Sequence, residues 1–416
     1  MENSTNHVAR NIGLICAAAF LRSMSTGTLG VVLAVYLFRN GLSATWIGAV
    51  IASGLAGSAV ATALISYRAD VIGTRRSLVL LAILSAFGGI VLVMFRTPII
   101  LLGMGFIVML NGMGTDRSAA FAIEQAAIPN LVSDRQRTWV LSWYNVILDA
   151  GGALGALGGA MPVVIDRATG IGLESAYQWV FASYTIANFG SAILYFFLTD
   201  ATELRKSGRA TPVSKITTDA KRIVRRISAL FALDAAGGGF LADALLAYWF
   251  FQRFGMDERS LGVLFFVVRV LNATSHLGAA WLAARIGLVN TMVFTHLPSS
   301  LFLLAVPLAP SFPIAASLLL AREALVEMDV PTRQSYIAAM VQPHERVYAS
   351  GITNLTRTVS WAVTSSAAGA LMQHVAFSAP LVLGGGMKVI YDLLLYRNFR
   401  HLEPPEEQLH RNSHLK

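Results

Sequence analysis

The chain has 416 residues, 13% of them charged and 55% hydrophobic, with a formal net charge of +9. Soluble domains average about 25% charged residues, so a soluble chain this poor in charge could not cover its own surface, and lipid must cover most of it. The single cysteine, Cys16, excludes internal disulfides and thiolate metal clusters, and no cofactor or metal is expected; the positive charge fits basic cytoplasmic loops rather than nucleic acid, because no basic patch sits on a soluble module.

The polar start, Met1 to Asn11, has no small-residue cleavage site and leads into an apolar run from Ile12 to Phe38. That run is too long for a signal-peptide core and reads as a retained helix. A hydrocarbon core about 30 Å thick requires about 20 helical residues. Runs that meet this lie at about 11–38, 44–67, 77–95, 98–123, 138–165, 175–198, 226–252, 260–284, 290–309, 312–330, 346–372 and 378–398, twelve in all. They are continuous rather than alternating, which predicts helices and excludes barrel strands.

Placing both termini in the cytoplasm leaves only Arg39, Arg96, Arg167, Arg253 and Arg259 in the outer loops. The inner segments then hold Arg68, Arg75, Arg76, Arg135, Arg137 and the basic stretch from Arg205 to Arg226. This bias predicts an integral, multi-pass protein of the cytoplasmic (inner or plasma) membrane with both termini inside. The polar stretch from Asp200 to Arg226 contains Pro212 and divides the chain almost in half. The expected layout is a six-helix bundle at 1–199, a cytoplasmic linker at 200–225, a second bundle at 226–400 and a cytoplasmic tail at 401–416.

The halves repeat. At an offset of 214, Arg39, Gly41 and Gly48 recur as Arg253, Gly255 and Gly262, and Ala69, Ile72 and Gly73 recur as Ala283, Ile286 and Gly287. At an offset of 209, Gln125, Ile128, Val132, Arg137 and Asn145 recur as Gln334, Ile337, Val341, Arg346 and Asn354. Two near-equal offsets, each kept across helix–loop–helix units, predict a duplication with both copies in one orientation.

The loop after the second run reads Ser66-Tyr-Arg-Ala-Asp70-Val-Ile-Gly73-Thr-Arg75-Arg76. With the twelve runs, the six-plus-six repeat and the basic central linker, it resembles the major facilitator superfamily, whose pattern there is Gly-x-x-x-Asp-Arg-x-Gly-Arg-Arg/Lys. Asp70, Gly73 and Arg75 match; Ser66, Val71 and Thr74 depart; the second-half equivalent, ending at Gly287, lacks the acid. The resemblance implies an all-α membrane protein of twelve transmembrane helices in two pseudo-symmetric six-helix bundles. It also implies a gate latch at Asp70, Gly73, Arg75 and Arg76; no substrate subfamily is placed. On residue chemistry alone, Gly73 permits a tight reversal and Asp70 can meet helix N-termini and arginines, and a plain solvated turn fits as well.

The fifth run carries Asp149-Ala-Gly151-Gly152-Ala-Leu-Gly155-Ala-Leu-Gly158-Gly159. Glycine at this spacing lets backbones approach closely; antiporter branches of the superfamily carry a glycine-rich motif here with a Gly-Pro that this chain lacks. Plain close packing and antiporter-type packing both remain open.

Ionisable residues inside a bilayer are costly and point to function. The candidates for the substrate and ion pathway are Arg22, Asp116, Arg117, Asp149, Asp234, Asp243, Arg269, Arg322, Glu323, Glu327 and Arg357. The resemblance puts the first, fourth, seventh and tenth helices on the cavity, which ranks Asp149, Arg269 and Arg357 below the rest. Asp234 and Asp243, nine residues apart, are expected on opposite faces of one helix. Glu323 and Glu327 share a face, which suits proton carriage. Asn145 and Asn354 hold equivalent repeat positions and fit either a substrate contact or an interhelical hydrogen bond. Lys388 and Asp392, one turn apart, are expected to pair, and His276 to be a satisfied core histidine. The buried arginines suit an anionic solute, but the buried acids are as numerous and leave cavity charge open.

There is no G-x-x-x-x-G-K-[ST], H-E-x-x-H or G-x-S-x-G sequence, so ATP-driven transport and the corresponding enzyme classes are excluded. The expectation is a monomeric, lipid-embedded secondary transporter, not an enzyme. It moves a small polar or organic solute by alternating access and couples to protons, as symport or efflux antiport. The alternatives are a non-transporting sensor or scaffold, and a membrane-embedded enzyme.

Overall fold

A computed structural model describes residues 2–116, 118–132, 134–202, 217–330, 332–333 and 346–399. Its helices are α1 (Glu2–Arg39), α2 (Ala44–Ile72), α3 (Thr74–Met94), α4 (Pro98–Val108), α5 (Ala119–Leu131), α6 (Asp134–Gly158), α7 (Met161–Thr169), α8 (Leu173–Phe196), α9 (Thr218–Gly239), α10 (Asp243–Phe254), α11 (Glu258–Ile286), α12 (Leu288–Ala305), α13 (Phe312–Val326), α14 (Arg346–His374) and α15 (Ala379–Phe399). Among the described residues eight helices are long and apolar enough to cross a membrane. A helix satisfies every backbone N–H and C=O within its own segment, as hydrocarbon demands. Large apolar side chains such as Leu64, Leu80 and Leu308 stay exposed along them, the surface that lipid tails solvate.

Each expected run overlaps one helix or two consecutive ones; the run at 312–330 turns after Val326, at Glu327 and Met328, and three others divide at identifiable residues. The run at 98–123 breaks after Val108: Met109 turns left-handed (φ 56°), Gly114 follows at φ 73°, and Ser118 caps α5 by accepting the Phe121 N–H at 3.4 Å. The run at 138–165 breaks at Gly159 and Ala160, where Pro162 enters the first turn of α7 and cannot continue an upstream helix. The run at 226–252 breaks between Gly239 and Asp243, after three consecutive glycines, and its first helix starts earlier than expected, at Thr218.

The repeat extends to backbone conformation. Gly41 and its equivalent Gly255 have φ 85° and 64°, and Gly73 and its equivalent Gly287 have φ 82° and 84°. Only glycine adopts this region without strain, so both turns are built alike in the two halves.

The chain forms two compact units. The first comprises Met1–Ser207, Leu241–Val270 and Ser365–Phe377; the second comprises Gly208–Phe240, Leu271–Thr364 and Ser378–Lys416. In the first, α6 lies on α1 through its glycines: a Cβ on Gly151 would sit 2.5 Å from the Phe20 carbonyl oxygen, and one on Gly155 2.9 Å from the Met24 Cα. The hydroxyls of Ser23 and Thr28 donate across the seam to the carbonyls of Leu148 (2.6 Å) and Gly155 (2.9 Å). Where α1 ends, Arg39 pairs with Glu258 at the start of α11 (2.9 Å), and Glu258, fully buried, also accepts from the Tyr177 hydroxyl of α8. Beside it Arg167 meets Asp257 at 3.1 Å. At the same unit's α2–α14 contact, a Cβ on Gly48 would come 2.9 Å from the Gly369 nitrogen. The second unit's apolar core joins α9, α12 and α15 through Ile227, Phe231, Met292, Val293, Tyr391 and Leu395.

Candidate functional site

In the first unit a buried guanidinium organises four chain segments. Arg22 of α1 donates from Nε to Asp116 Oδ2 at 2.7 Å and from Nη2 to Glu124 Oε2 at 2.5 Å. Its Nη1 reaches Glu124 Oε1 at 3.3 Å and the Tyr195 hydroxyl of α8. Glu124 of α5, fully buried, accepts two more bonds, from Tyr144 of α6 at 2.7 Å and from Tyr195 at 2.6 Å. The fork-to-fork pair fixes direction as well as charge. Asp116 lies in the unwound stretch, not in a helix as expected, and its Oδ1 accepts the Ser118 N–H at 3.3 Å. A cavity of about 20 Å³, with room for about one water molecule, opens beside Arg22 and is lined by Thr26, Ser85, Asn111, Tyr184 and Asn188 among others.

The unwound stretch is braced by Asn111, which accepts the Met113 N–H at 2.9 Å and donates to the Thr115 carbonyl at 3.1 Å. It meets the start of α10 directly: the Ala244 N–H donates to the Gly112 carbonyl at 3.0 Å. There Asp243, in the first turn of α10 where a helix dipole favours an anion, pairs with Arg269 of α11. The pair sits against glycine: a Cβ on Gly114 would collide with the Asp243 carboxylate, and one on Gly30 would come 2.7 Å from the Gly114 Cα.

In the second unit Asp234 of α9 is the hub. Its Oδ1 accepts from Lys388 Nζ of α15 at 2.7 Å, its Oδ2 accepts from Arg333 at 3.2 Å, and Arg357 of α14 lies 3.9 Å away. Arg333 also bonds Asp329 at 2.8 Å. His296 of α12 places Nδ1 2.8 Å from Asp392 Oδ1 and Nε2 3.6 Å from Asp234 Oδ1. On α13, Arg322 pairs with Glu323, and Asn272, its amide nitrogen turned toward Glu323, donates to Oε2 at 3.0 Å. Glu327, just past the end of α13, is 3.8 Å from His276 of α11.

Residues 15–326 match the Major Facilitator Superfamily. The chain belongs to that superfamily. A yeast relative (Saccharomyces cerevisiae), the uncharacterized membrane protein YJR124C, is 23% identical over 418 residues, covering 93% of each chain. Among solved structures, the fold resembles the nucleoside transporter NupG (TM-score 0.71, 13% identity, 93% of this chain and 98% of that one). It also resembles a D-xylose–proton symporter (0.71, 16%, 94% and 97%) and a POT family transporter in complex with a thioalcohol-conjugated peptide (0.72, 13%, 93% and 95%). As a superfamily member the chain is a multi-pass membrane protein of the secondary-transporter class rather than an enzyme.

With the superfamily fold in place, the residues expected along the pathway sort into groups. Arg22 and Asp116 come together, as do Asp243 and Arg269, Asp234 and Arg357, and Arg322 and Glu323. Asp149 is half-buried on α6, while Asn145 and Asn354 are both exposed. Arg117 and the side chain of Asp70 lie outside the described residues. Of the expected latch, Gly73 makes the positive-φ turn, Arg75 donates to the Leu198 carbonyl at 3.4 Å and stacks over Phe196 at 5.2 Å, and Arg76 is exposed.

Two expectations change. Lys388 reaches across to Asp234 on α9 at 2.7 Å instead of pairing with Asp392, which takes His296 of α12 at 2.8 Å. Asp234 and Asp243 do not share one helix, because the break after Gly239 ends the 100° periodicity between them. Sequence reasoning also missed Glu124, Tyr144, Tyr195, His296, Asp329 and Arg333. Glu124 stands in Phe-Ala-Ile-Glu-Gln-Ala-Ala-Ile, one residue past the expected end of its run, and His296 stands inside an apolar run. The rule applied to the other intramembrane ionisable residues points to both.

Proposed function

We propose that this chain carries a small polar or organic solute across the cytoplasmic membrane by alternating access, driven by protons in symport or efflux antiport. The observation that supports it is the Arg22 cluster. Two buried carboxylates, Asp116 and Glu124, share one described guanidinium, and ionisable clusters inside a membrane mark ion pathways. Asp116 stands where the α4–α5 break meets the start of α10, and transporters build solute sites at such discontinuous helices. The layout in this reading is a monomer with two six-helix halves, 1–199 and 226–400, and both termini in the cytoplasm. The pathway residues are Arg22, Asp116, Asp234, Asp243, Arg269, Arg322, Glu323, Glu327 and Arg357, together with Arg117, Asp149, Asn145 and Asn354.

The test is flux into proteoliposomes of purified protein under an imposed pH gradient, with nucleosides, pentoses, short peptides and organic anions as the panel. Gradient-driven accumulation of one class, abolished by an uncoupler, is the expected result. Flux that ignores the gradient sinks the proton coupling. No flux for any class, from protein shown to be folded, favours the sensor or scaffold reading.

A further inference from the structure

A second titratable centre lies in the other compact unit. His296 is buried on α12, and both of its ring nitrogens face ionisable groups. Nδ1 lies 2.8 and 3.0 Å from the two oxygens of Asp392, itself fully buried. With Asp392 ionised its oxygens only accept, so Nδ1 carries the hydrogen, and the remaining nitrogen, Nε2, decides the charge state. Nε2 sits 3.4 Å from Lys388 Nζ, a donor, and 3.6 Å from Asp234 Oδ1, an acceptor.

We propose that His296 Nε2 is a proton-binding site whose occupancy rearranges the ion pairs of α9, α12, α14 and α15. Empty, Nε2 accepts from Lys388. Occupied, it donates to Asp234 and draws that carboxylate away from Lys388. Each state leaves a hydrogen bond in place, which makes the site bistable rather than merely buried. Among the described ion pairs, Asp234, Asp329 and Asp392 face Lys388, Arg333 and Arg357, and a proton on His296 adds one positive charge to them. The groups around His296 are Asp392, Lys388 and the Tyr391 ring (5.7 Å) from α15, and Asp234 from α9. On α13, which also packs against α12, Arg322 and Glu323 are engaged with each other. This site stands independently of the solute-transport reading and is tested without flux.

The structure supplies a reporter. Trp361 of α14 lies under the Arg357 guanidinium at 5.1 Å, and Arg357 is in turn a partner of Asp234. Full-length protein in detergent is titrated through pH 5–8, where histidine changes charge, and the Trp361→Phe protein supplies the fluorescence background. The expected result is a one-proton transition in the Trp361 signal that His296→Gln abolishes and His276→Gln leaves in place. Asp257 stays out of this window: although partial burial pushes its carboxyl up, the Ser260 N–H and hydroxyl, with Arg167 and Arg259, hold it below its usual value. If His296→Gln does not fold, Asp392→Asn replaces it and must move the midpoint to lower pH by about one unit, because a facing negative charge is gone. A transition that survives His296→Gln, that vanishes with His276→Gln, or that Asp392→Asn leaves unmoved overturns the proposal, as does its absence from the wild type.

Discussion

Glu124 shows how much one side chain can hold. Its two oxygens take four hydrogen bonds, from Arg22 twice and from Tyr144 and Tyr195, joining α1, α5, α6 and α8. Glu124→Ala leaves a buried guanidinium short of a partner and the O–H donors of Tyr144 and Tyr195 without their acceptor. Breaking a buried pair in this way costs about 3–5 kcal/mol, and thermal unfolding of the purified variant should show a large drop in midpoint. Glu124→Gln keeps an acceptor oxygen and the side-chain volume. It removes one of the two negative charges facing Arg22, so its loss should be clearly smaller. Equal midpoints for wild type and the Ala variant would show that the cluster contributes little to the fold. None of this was visible as geometry in the chain. An acid in an apolar run announces itself, but which arginine it meets depends on a helix 102 positions upstream.

At the scale of helices, hydropathy located every run and misjudged continuity. A sliding apolar window passes over Gly112 and Gly114, or over the residues just after Gly239, without registering that the backbone is out of the helix there. The composition did carry the signal. Asn111 can close an Asx-type turn on the chain around it, and glycine clusters mark where a helix is cheap to interrupt. The packing of α6 on α1 was more legible, since its glycine spacing announced a close seam before any contact was known. That seam makes a paired prediction. Gly155→Leu forces a side chain onto the Met24 backbone and should abolish monodisperse, folded protein in size-exclusion chromatography. Gly103→Ala, where nothing lies within 4 Å of the added carbon, should fold as well as wild type or better, by up to about 1 kcal/mol from helix propensity. Identical behaviour of the two variants would mean the seam is not tight.

For the whole molecule, the repeat was legible because duplicated turns keep their glycines, and the left-handed pairs Gly41/Gly255 and Gly73/Gly287 carry it into the backbone. The partnering of charges was not, because it depends on which helices pack together. The latch that the superfamily pattern implies at Asp70 would act on the whole conformational cycle. Asp70→Asn should therefore insert normally and slow counterflow of a carried solute on the order of tenfold, the effect of about 1.4 kcal/mol of lost coupling between states; an unchanged rate removes the latch. The break between α4 and α5 bears on biogenesis as well. Its backbone groups cannot satisfy one another as a continuous helix would, and hydrocarbon penalises each unmet one by several kcal/mol. The segment from Pro98 to Leu131 is therefore a poor candidate for release into lipid alone. It gains its partners, Arg22 on Asp116 and the Ala244 N–H on Gly112, from helices made both before and after it. Its final placement is thus a late event in synthesis, completed only when α10 has left the ribosome.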